Sequence, residues 1–465
     1  MAKKHIEEVV YIEDIVFPNK GVGNFNDNKV YIKNTIPGQK VKALIKKKKQ
    51  KYEGRLLEII EKADYEIEPD CNVFGLCGGC TYQNISYDKE IEIKKNNVLN
   101  ILKDAGIDNF TFLGINKSPD INCYRNKMEF SFGDTGIDGE LSLGMRKRNS
   151  YYEVVNAYDC KIVSNDIRKI LKCVLEYFKN TNETFYHRMK KTGSLRHLLI
   201  RQAFFTKEIM IGLVTSSQFD TDLIKLKYNL LSLKLDGEIK GFLHILNDSS
   251  ADVIKADNIN IIYGNDHFYE KLLGLDFKIS LFSFFQTNSA GAEKLYSIVK
   301  KFVGEVSNQT VFDLYCGTGT IAQIVAKEAK RVIGVELVEE AVEAAKINCK
   351  LNNIDNCEFI SGDVYKIVEN LNIKPDLIIL DPPREGINPK AIEKIINFNA
   401  NRIVYISCKA SSLSKDLKVF IDNNYEIDKI EIMDMFPRTY HIETCVLLQR
   451  RTMWKSLILG TFLSI

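Results

Sequence analysis

Hydrophobic and polar positions repeat with different periods along the chain, and the changes of period divide it. Residues 1 to about 61 carry short β-branched runs, VVYIEDIVF and KVYIKNT, broken by turn residues at Asn19-Lys20-Gly21, Asn26-Asp27-Asn28 and Pro37-Gly38. The pattern predicts a small β domain, with an oligonucleotide-binding-like barrel as its functional form. From Asp88 to about Gly106 the period lengthens to that of an amphipathic helix with a glycine stop. Between about 120 and 270 strands and helices alternate, and Tyr124–Gly133, Leu141–Arg148 and Leu195–Gln202 read as strands in a central α+β domain. From about 271 onward, buried apolar runs recur with helical stretches between them. These runs predict a doubly wound α/β domain.

Length and composition refine this picture. A chain of 465 residues holds two or three domains. Its net charge of +3 means that any nucleic-acid binding comes from local patches. One candidate is Lys46 to Lys49 with Lys51, read either as a solvated hairpin or as a phosphate-binding rim. The other comprises Arg125, Lys127, Arg146, Lys147, Arg148, Arg196, His197 and Arg201. These form either an ordinary charged surface or a track for RNA phosphates, with Tyr124 or Phe130 as stacking surfaces. Met1 to Glu8 lacks the apolar core of a signal peptide, and no run reaches the length of a membrane span. Eleven unevenly spaced cysteines suggest reduced thiols, a metal site and catalysis, as expected of a cytoplasmic protein.

Candidate chemistry gathers where strands end. Cys408 follows the apolar run Arg402–Ile406, at the carboxyl edge of a sheet, where a thiol is a candidate nucleophile. VFDLYCGTGTIA (Val311–Ala322) runs from a strand through Gly317-Thr318-Gly319 into a helical pattern, and Glu336 closes the next strand, RVIGVE. Glycines there let a backbone approach a ligand, and a carboxylate at that place can accept hydrogen bonds from ribose hydroxyls. These features fit either NAD or S-adenosylmethionine. KPDLIILDPPR places Asp381 before two prolines, a rigid strand end. DMFPRTYHIETC holds Glu443 inside an apolar run, where a carboxylate is costly unless paired or protonated, and so is a candidate base. Cys71, Cys77 and Cys80 form C-x5-C-x2-C in a glycine-rich loop, with Cys160 the best fourth ligand. Four thiolates can hold zinc or an iron–sulfur cluster, and the three-plus-one arrangement favours [4Fe-4S].

DLYCGTG, LDPPR, YISC and FPRTYHIET, with SFFQTN at Ser283–Asn288, together resemble the RNA (uracil-5-)-methyltransferases that use S-adenosylmethionine. The resemblance covers nearly the whole chain. It implies a Rossmann-like methyltransferase domain in which Gln286, Tyr315, Gly317, Gly319, Glu336 and Asp381 bind S-adenosylmethionine, Cys408 is the nucleophile and Glu443 the base. The first 61 residues are similar to the accessory TRAM barrel of that family. The four cysteines match a [4Fe-4S] site. The implied organisation is a TRAM barrel at 1–61, a central domain at 62–92 and 120–270, and the methyltransferase domain at 93–119 and 271–451. The implied substrate is RNA, with 23S rRNA favoured over tRNA by the barrel and the cluster cysteines. No obligate protein partner is suggested. Two competing readings are an NAD-dependent enzyme, which leaves Cys408 and Glu443 unexplained, and a catalytically idle RNA-binding module, which does not require them together. The chain departs from the family at Lys409 and Ala410, where asparagine and proline are common, and in an apolar tail, 452–465.

Overall fold

The computed structural model describes residues 6–136, 139–150, 153–249, 256–371 and 373–451, and the apolar tail at 452–465 lies outside them. Three large sheets organise the chain. The first has six strands in the spatial order Ile6–Tyr11, Lys40–Lys48, Lys51–Glu61, Asn28–Lys33, Lys20–Phe25, Asp14–Val16. Strict alternation along Lys40–Lys48 buries Val41, Ala43 and Ile45 on one face and leaves Lys46–Lys48 exposed at the tip of a hairpin. The sheet curls so tightly that a side chain at Gly23 would stand 2.4 Å from the Tyr11 carbonyl oxygen, an approach only glycine permits.

The second sheet has seven strands, in the order Val154–Asn156, Leu141–Arg146, Lys127–Asp134, Leu195–Gln202, Glu208–Thr215, Glu238–Leu246, Asn258–Gly264. It corrects the reading of its basic strands. Every position of Leu195–Gln202 is buried, because Leu195, Leu198 and Ile200 pack into one core and Leu199 into another on the opposite face. Arg201 therefore faces no solvent. Its guanidinium donates to the carbonyls of Ser280 (3.0 Å) and Ser283 (2.6 Å) and ties this sheet to the segment carrying SFFQTN. Arg196 and His197 are buried with it, and Tyr124 and Phe130 are core residues, not stacking surfaces.

The third sheet positions the site. Its eight strands run Cys357–Ser361, Arg331–Glu336, Thr310–Leu314, Leu377–Leu380, Arg402–Ser407, Glu443–Arg450, Tyr425–Met433, Thr111–Asn116. The first five are mutually parallel and nearly all buried apolar runs, as expected where helices cover both faces. Order reverses between Thr310–Leu314 and Leu377–Leu380, the switch point outside whose carboxyl ends ligands bind in such sheets. Glu443–Arg450 enters antiparallel to Arg402–Ser407. The far edge is supplied from upstream: Thr111–Asn116 pairs in parallel with Tyr425–Met433. The helix before it, Tyr87–Asp104, is capped by Ser86, whose side chain accepts from the Lys89 N–H. It stops at Gly106, whose φ of 73° no helix continues.

Candidate active site

The strand Thr310–Leu314 delivers its chain into a strained turn. Tyr315 adopts a φ of 68°, rare for a residue with a Cβ and characteristic of functional turns. Gly317 N–H donates to Glu336 Oε2 and Val338 N–H to Glu336 Oε1, both at 3.0 Å. Two backbone donors thus hold the carboxylate at its strand end with acceptor capacity to spare. Gly319 caps the following helix, Thr320–Ala326, at φ 71°. A Cβ there would come within 2.6 Å of the Phe359 ring and 2.9 Å of Ala345, so Gly319 is set by packing.

Gln286, Tyr315, Gly317, Glu336, Asp381, Cys408 and Glu443 all line one cavity of about 1250 Å³. Of the residues singled out for this site, Gly319 is the one that does not reach it. The volume exceeds the range of about 300–1,000 Å³ typical of a single small ligand. Asp381 stands at the switch point, at the end of Leu377–Leu380, and burial pushes its carboxyl up to about 7. An aspartate in an unfolded chain titrates near about 4. Its contribution to stability is therefore complete below pH 4 and is lost as pH rises through 7. The melting temperature of the ligand-free protein is expected to fall between about pH 4 and pH 7. Asp381→Asn should flatten that fall, and an unchanged slope in the variant would remove Asp381 as its source.

Cys408 and Glu443 come from neighbouring antiparallel strands. The register pairs Ser407 with Thr444, and one further step sets Cys408 opposite Glu443. Burial pushes the Cys408 thiol up to about 11, Glu443 and Asp381 add to the effect, and the Arg384 guanidinium opposes it, partly as a hydrogen-bond donor. Arg384, not the adjacent Lys409, is thus the cation acting on the thiol. Glu443 is pushed well above the carboxylate range by burial and by Asp381, with Arg384 again opposing. Its proton is therefore held more tightly than that of an exposed carboxyl. Sequence reading missed two further groups. Arg384 was visible as the last residue of LDPPR, but nothing local assigned it a partner. Asp313, a carboxylate inside an apolar strand, lines the same cavity fully buried, with neither carboxyl oxygen hydrogen-bonded.

The loop that precedes Glu443 is held by a buried ion cluster. Lys94, on the upstream helix, donates to Glu90 (2.7 Å), Asp434 (2.8 Å) and the Phe436 carbonyl (3.2 Å). Tyr87 Oη donates to Asp434 at 2.9 Å, and Arg438 N–H to Glu90 at 2.7 Å. Burial opposes the charge on Lys94, but the two carboxylates outweigh it and hold its pKa above the usual lysine value. The cluster fixes the segment Asp434–Ile442, which carries Phe436 and His441 to the cavity wall.

The cysteine loop lies against the central sheet. Cys77 bridges to Lys147, and Arg148 donates to the carbonyls of Cys77 and Cys80. Cys77 Sγ accepts from Gly79 N–H at 3.3 Å and Cys80 Sγ from Gln83 at 3.7 Å. Burial raises the thiols of Cys77, Cys80 and Cys160, and charge on Cys71 and on one another raises them further, so the four converge. Among the described residues, however, no group of three or more His, Cys, Asp or Glu side chains closes to ion-holding geometry.

Comparison with known proteins matches these features. Residues 86–451 match the tRNA (Uracil-5-)-methyltransferase family. An uncharacterized RNA methyltransferase of Clostridium acetobutylicum is 52% identical over 97% of this chain and 99% of its own length. One from Caldanaerobacter subterraneus is 45% identical over 97% of this chain and 100% of its own. The crystal structure of Pyrococcus abyssi tRNA (uracil-54, C5)-methyltransferase in complex with S-adenosyl-L-homocysteine shares the fold, with a TM-score of 0.76, 24% identity, and coverage of 94% of this chain and 100% of that one. The chain is therefore an RNA methyltransferase and belongs to the tRNA (uracil-5-)-methyltransferase family.

Proposed function

We propose that this enzyme methylates carbon 5 of a uridine in RNA, with S-adenosylmethionine as donor and 23S rRNA as the favoured substrate, in the cytoplasm. The observation that carries the reading is the register that sets Cys408 opposite Glu443 in a cavity shared with Glu336 and Asp381. Carbon 5 of uracil is a poor nucleophile. Addition of the Cys408 thiolate to carbon 6 forms an S–C bond and moves an electron pair into the ring as an enolate, which makes carbon 5 electron-rich. When bound, S-adenosylmethionine supplies the methyl group and a sulfonium charge. Beside a positive charge the carboxyls of Asp381 and Glu443 ionise more readily. As carboxylate, Glu443 takes the proton from methylated carbon 5, and the released electron pair expels Cys408 from carbon 6, restoring the ring and the thiolate. Gln286, Tyr315, Gly317, Glu336 and Asp381 are assigned to the donor, and Arg384 to stabilising the thiolate. A stacked uridine reaches such a pocket by being flipped out.

The N-terminal sheet, with its exposed lysine hairpin, is assigned to RNA binding as a TRAM barrel. A [4Fe-4S] cluster on Cys71, Cys77, Cys80 and Cys160 is proposed from the cysteine spacing and the N–H···S bonds of Cys77 and Cys80, and binding it would require the thiols to draw closer than they stand here. Its assigned role is to staple the loop. A tRNA substrate is the second reading, favoured by the name of the matched family. The test uses total RNA from a strain lacking this gene, incubated with the protein and methyl-labelled S-adenosylmethionine. Label is expected in 5-methyluridine, at a site that names the substrate, and should vanish with Cys408→Ala. No labelled 5-methyluridine from the wild type would overturn the reading.

A further inference from the structure

Cys408 borders two cavities. Besides the large one, it lines a second, of about 490 Å³, together with Arg384 and His441, which are also common to both. The second cavity lies where three distant parts of the chain meet. Phe17 and Pro18 come from the loop between Asp14–Val16 and Lys20–Phe25 of the N-terminal sheet, Asn97 and Asn100 from the helix Tyr87–Asp104, and Tyr440 from the loop before Glu443.

Two independent features of this cavity point to the same occupant. The first is aromatic. Phe17 packs edge-on against Tyr440 with centroids 6.0 Å apart, Tyr440 lies 4.2 Å from the His441 ring, and His441 is 6.0 Å from Phe436 on the wall of the large cavity. A row of rings thus leads from the N-terminal sheet to the catalytic thiol. Burial, with Arg384 adding to it, holds His441 down to about 4, so this ring is neutral and stacks as an aromatic surface. The second feature is polar. Asn97, 7% exposed, presents its side-chain amide along this cavity wall. An amide offers one donor and one acceptor side by side, the complement of a nucleobase edge. Asn100 lies one helical turn on, on the same face. Lys409 and Arg384 also line the cavity as cations suited to phosphate, and Asp104 lines it as well.

We propose that this second cavity binds an unpaired nucleobase next to the target uridine, stacked against Phe17 and Tyr440 and read at its edge by Asn97. The proposal rests on the uridine-methylating reading of the site. It makes the N-terminal sheet part of substrate selection, since Phe17 supplies one wall of the subsite beside the catalytic cysteine. A base held there would also keep the flipped uridine from restacking, because its neighbour is no longer in the helix.

The test uses the full-length protein and a short RNA spanning the uridine that the wild type methylates in total RNA. Abasic nucleotides replace each neighbour in turn. One abasic position is expected to raise KM for the RNA about tenfold or more, the effect of deleting one base–aromatic stack, with kcat little changed. Phe17→Ala and Asn97→Leu should each raise KM on intact RNA by a similar factor. On the RNA abasic at that position, Phe17→Ala should cost nothing further, because both changes delete the same contact. Calorimetric binding of S-adenosylmethionine should be unchanged in both variants, which shows that they fold. If no abasic neighbour affects the wild type, or if the losses from Phe17→Ala and the abasic position multiply, the subsite is overturned while methylation stands. If the wild type methylates no uridine, the functional reading falls and the subsite with it.

Discussion

Glutamine in place of Glu443 is expected to leave the protein covalently joined to its RNA. The forward steps need the Cys408 thiolate and the methyl donor, but release needs a base at carbon 5, and glutamine is not one. Loss of a positioned base costs about 10²–10⁴-fold in rate, so the adduct should outlive a denaturing gel while multiple turnover nearly disappears. The substitution costs little stability. Burial and Asp381 disfavour the charged form of Glu443, and glutamine mimics the neutral form in shape. The band should be absent in Cys408→Ala, Glu443→Gln double-variant protein. A Glu443→Gln protein that turns over at the wild-type rate would remove Glu443 from the mechanism. An adduct that survives Cys408→Ala would place the nucleophile elsewhere.

Lys94→Met is expected to be the most damaging substitution far from the reacting atoms in sequence. Lys94 is buried between Glu90 and Asp434 and 1% exposed at its side chain, with the two carboxylates at 0%. Its removal leaves two buried acidic groups facing each other with only Arg438, 3.6 Å from Glu90, as a cation, a loss of about 3–5 kcal/mol for a buried pair broken on one side. The melting temperature should drop by several degrees, and the loss should shrink when Glu90→Gln and Asp434→Asn are added, since no buried carboxylate then stays without its lysine. Because the cluster anchors the loop carrying Phe436 and His441, RNA methylation should fall even at temperatures where the variant remains folded. A single variant as stable as the wild type would mean that the loop is held by packing alone.

Most of the groups proposed to react were legible locally. A strand end announces itself by where an apolar run stops, so Glu336, Asp381 and Cys408 could be placed at the edge of a sheet before any fold was known. Glu443 stood out because a carboxylate inside an apolar run needs a reason. Gly317 and Gly319 looked alike in sequence, yet Gly317 faces the cavity while Gly319 is required by the Phe359 ring against it. The basic strand Leu195–Gln202 misled for a related reason. Period-two alternation separates two faces, but it does not say whether the second face meets water or another core, and here it meets another core.

By itself, then, the sequence determined the kinds of element, their order, and the candidates for thiol nucleophile, base and ligand-binding carboxylates, because these depend on residue type and on neighbours a few positions away. Only the tertiary structure decided which of them meet. The antiparallel register sets Cys408 against Glu443, Arg384 turns toward that thiol, and Lys94 reaches Asp434 across 340 residues of chain. Phe17 arrives beside Cys408 from near the start of the sequence. Such contacts follow from how separate hydrophobic faces bury one another. That is a property of the packed whole, which no local stretch of sequence carries.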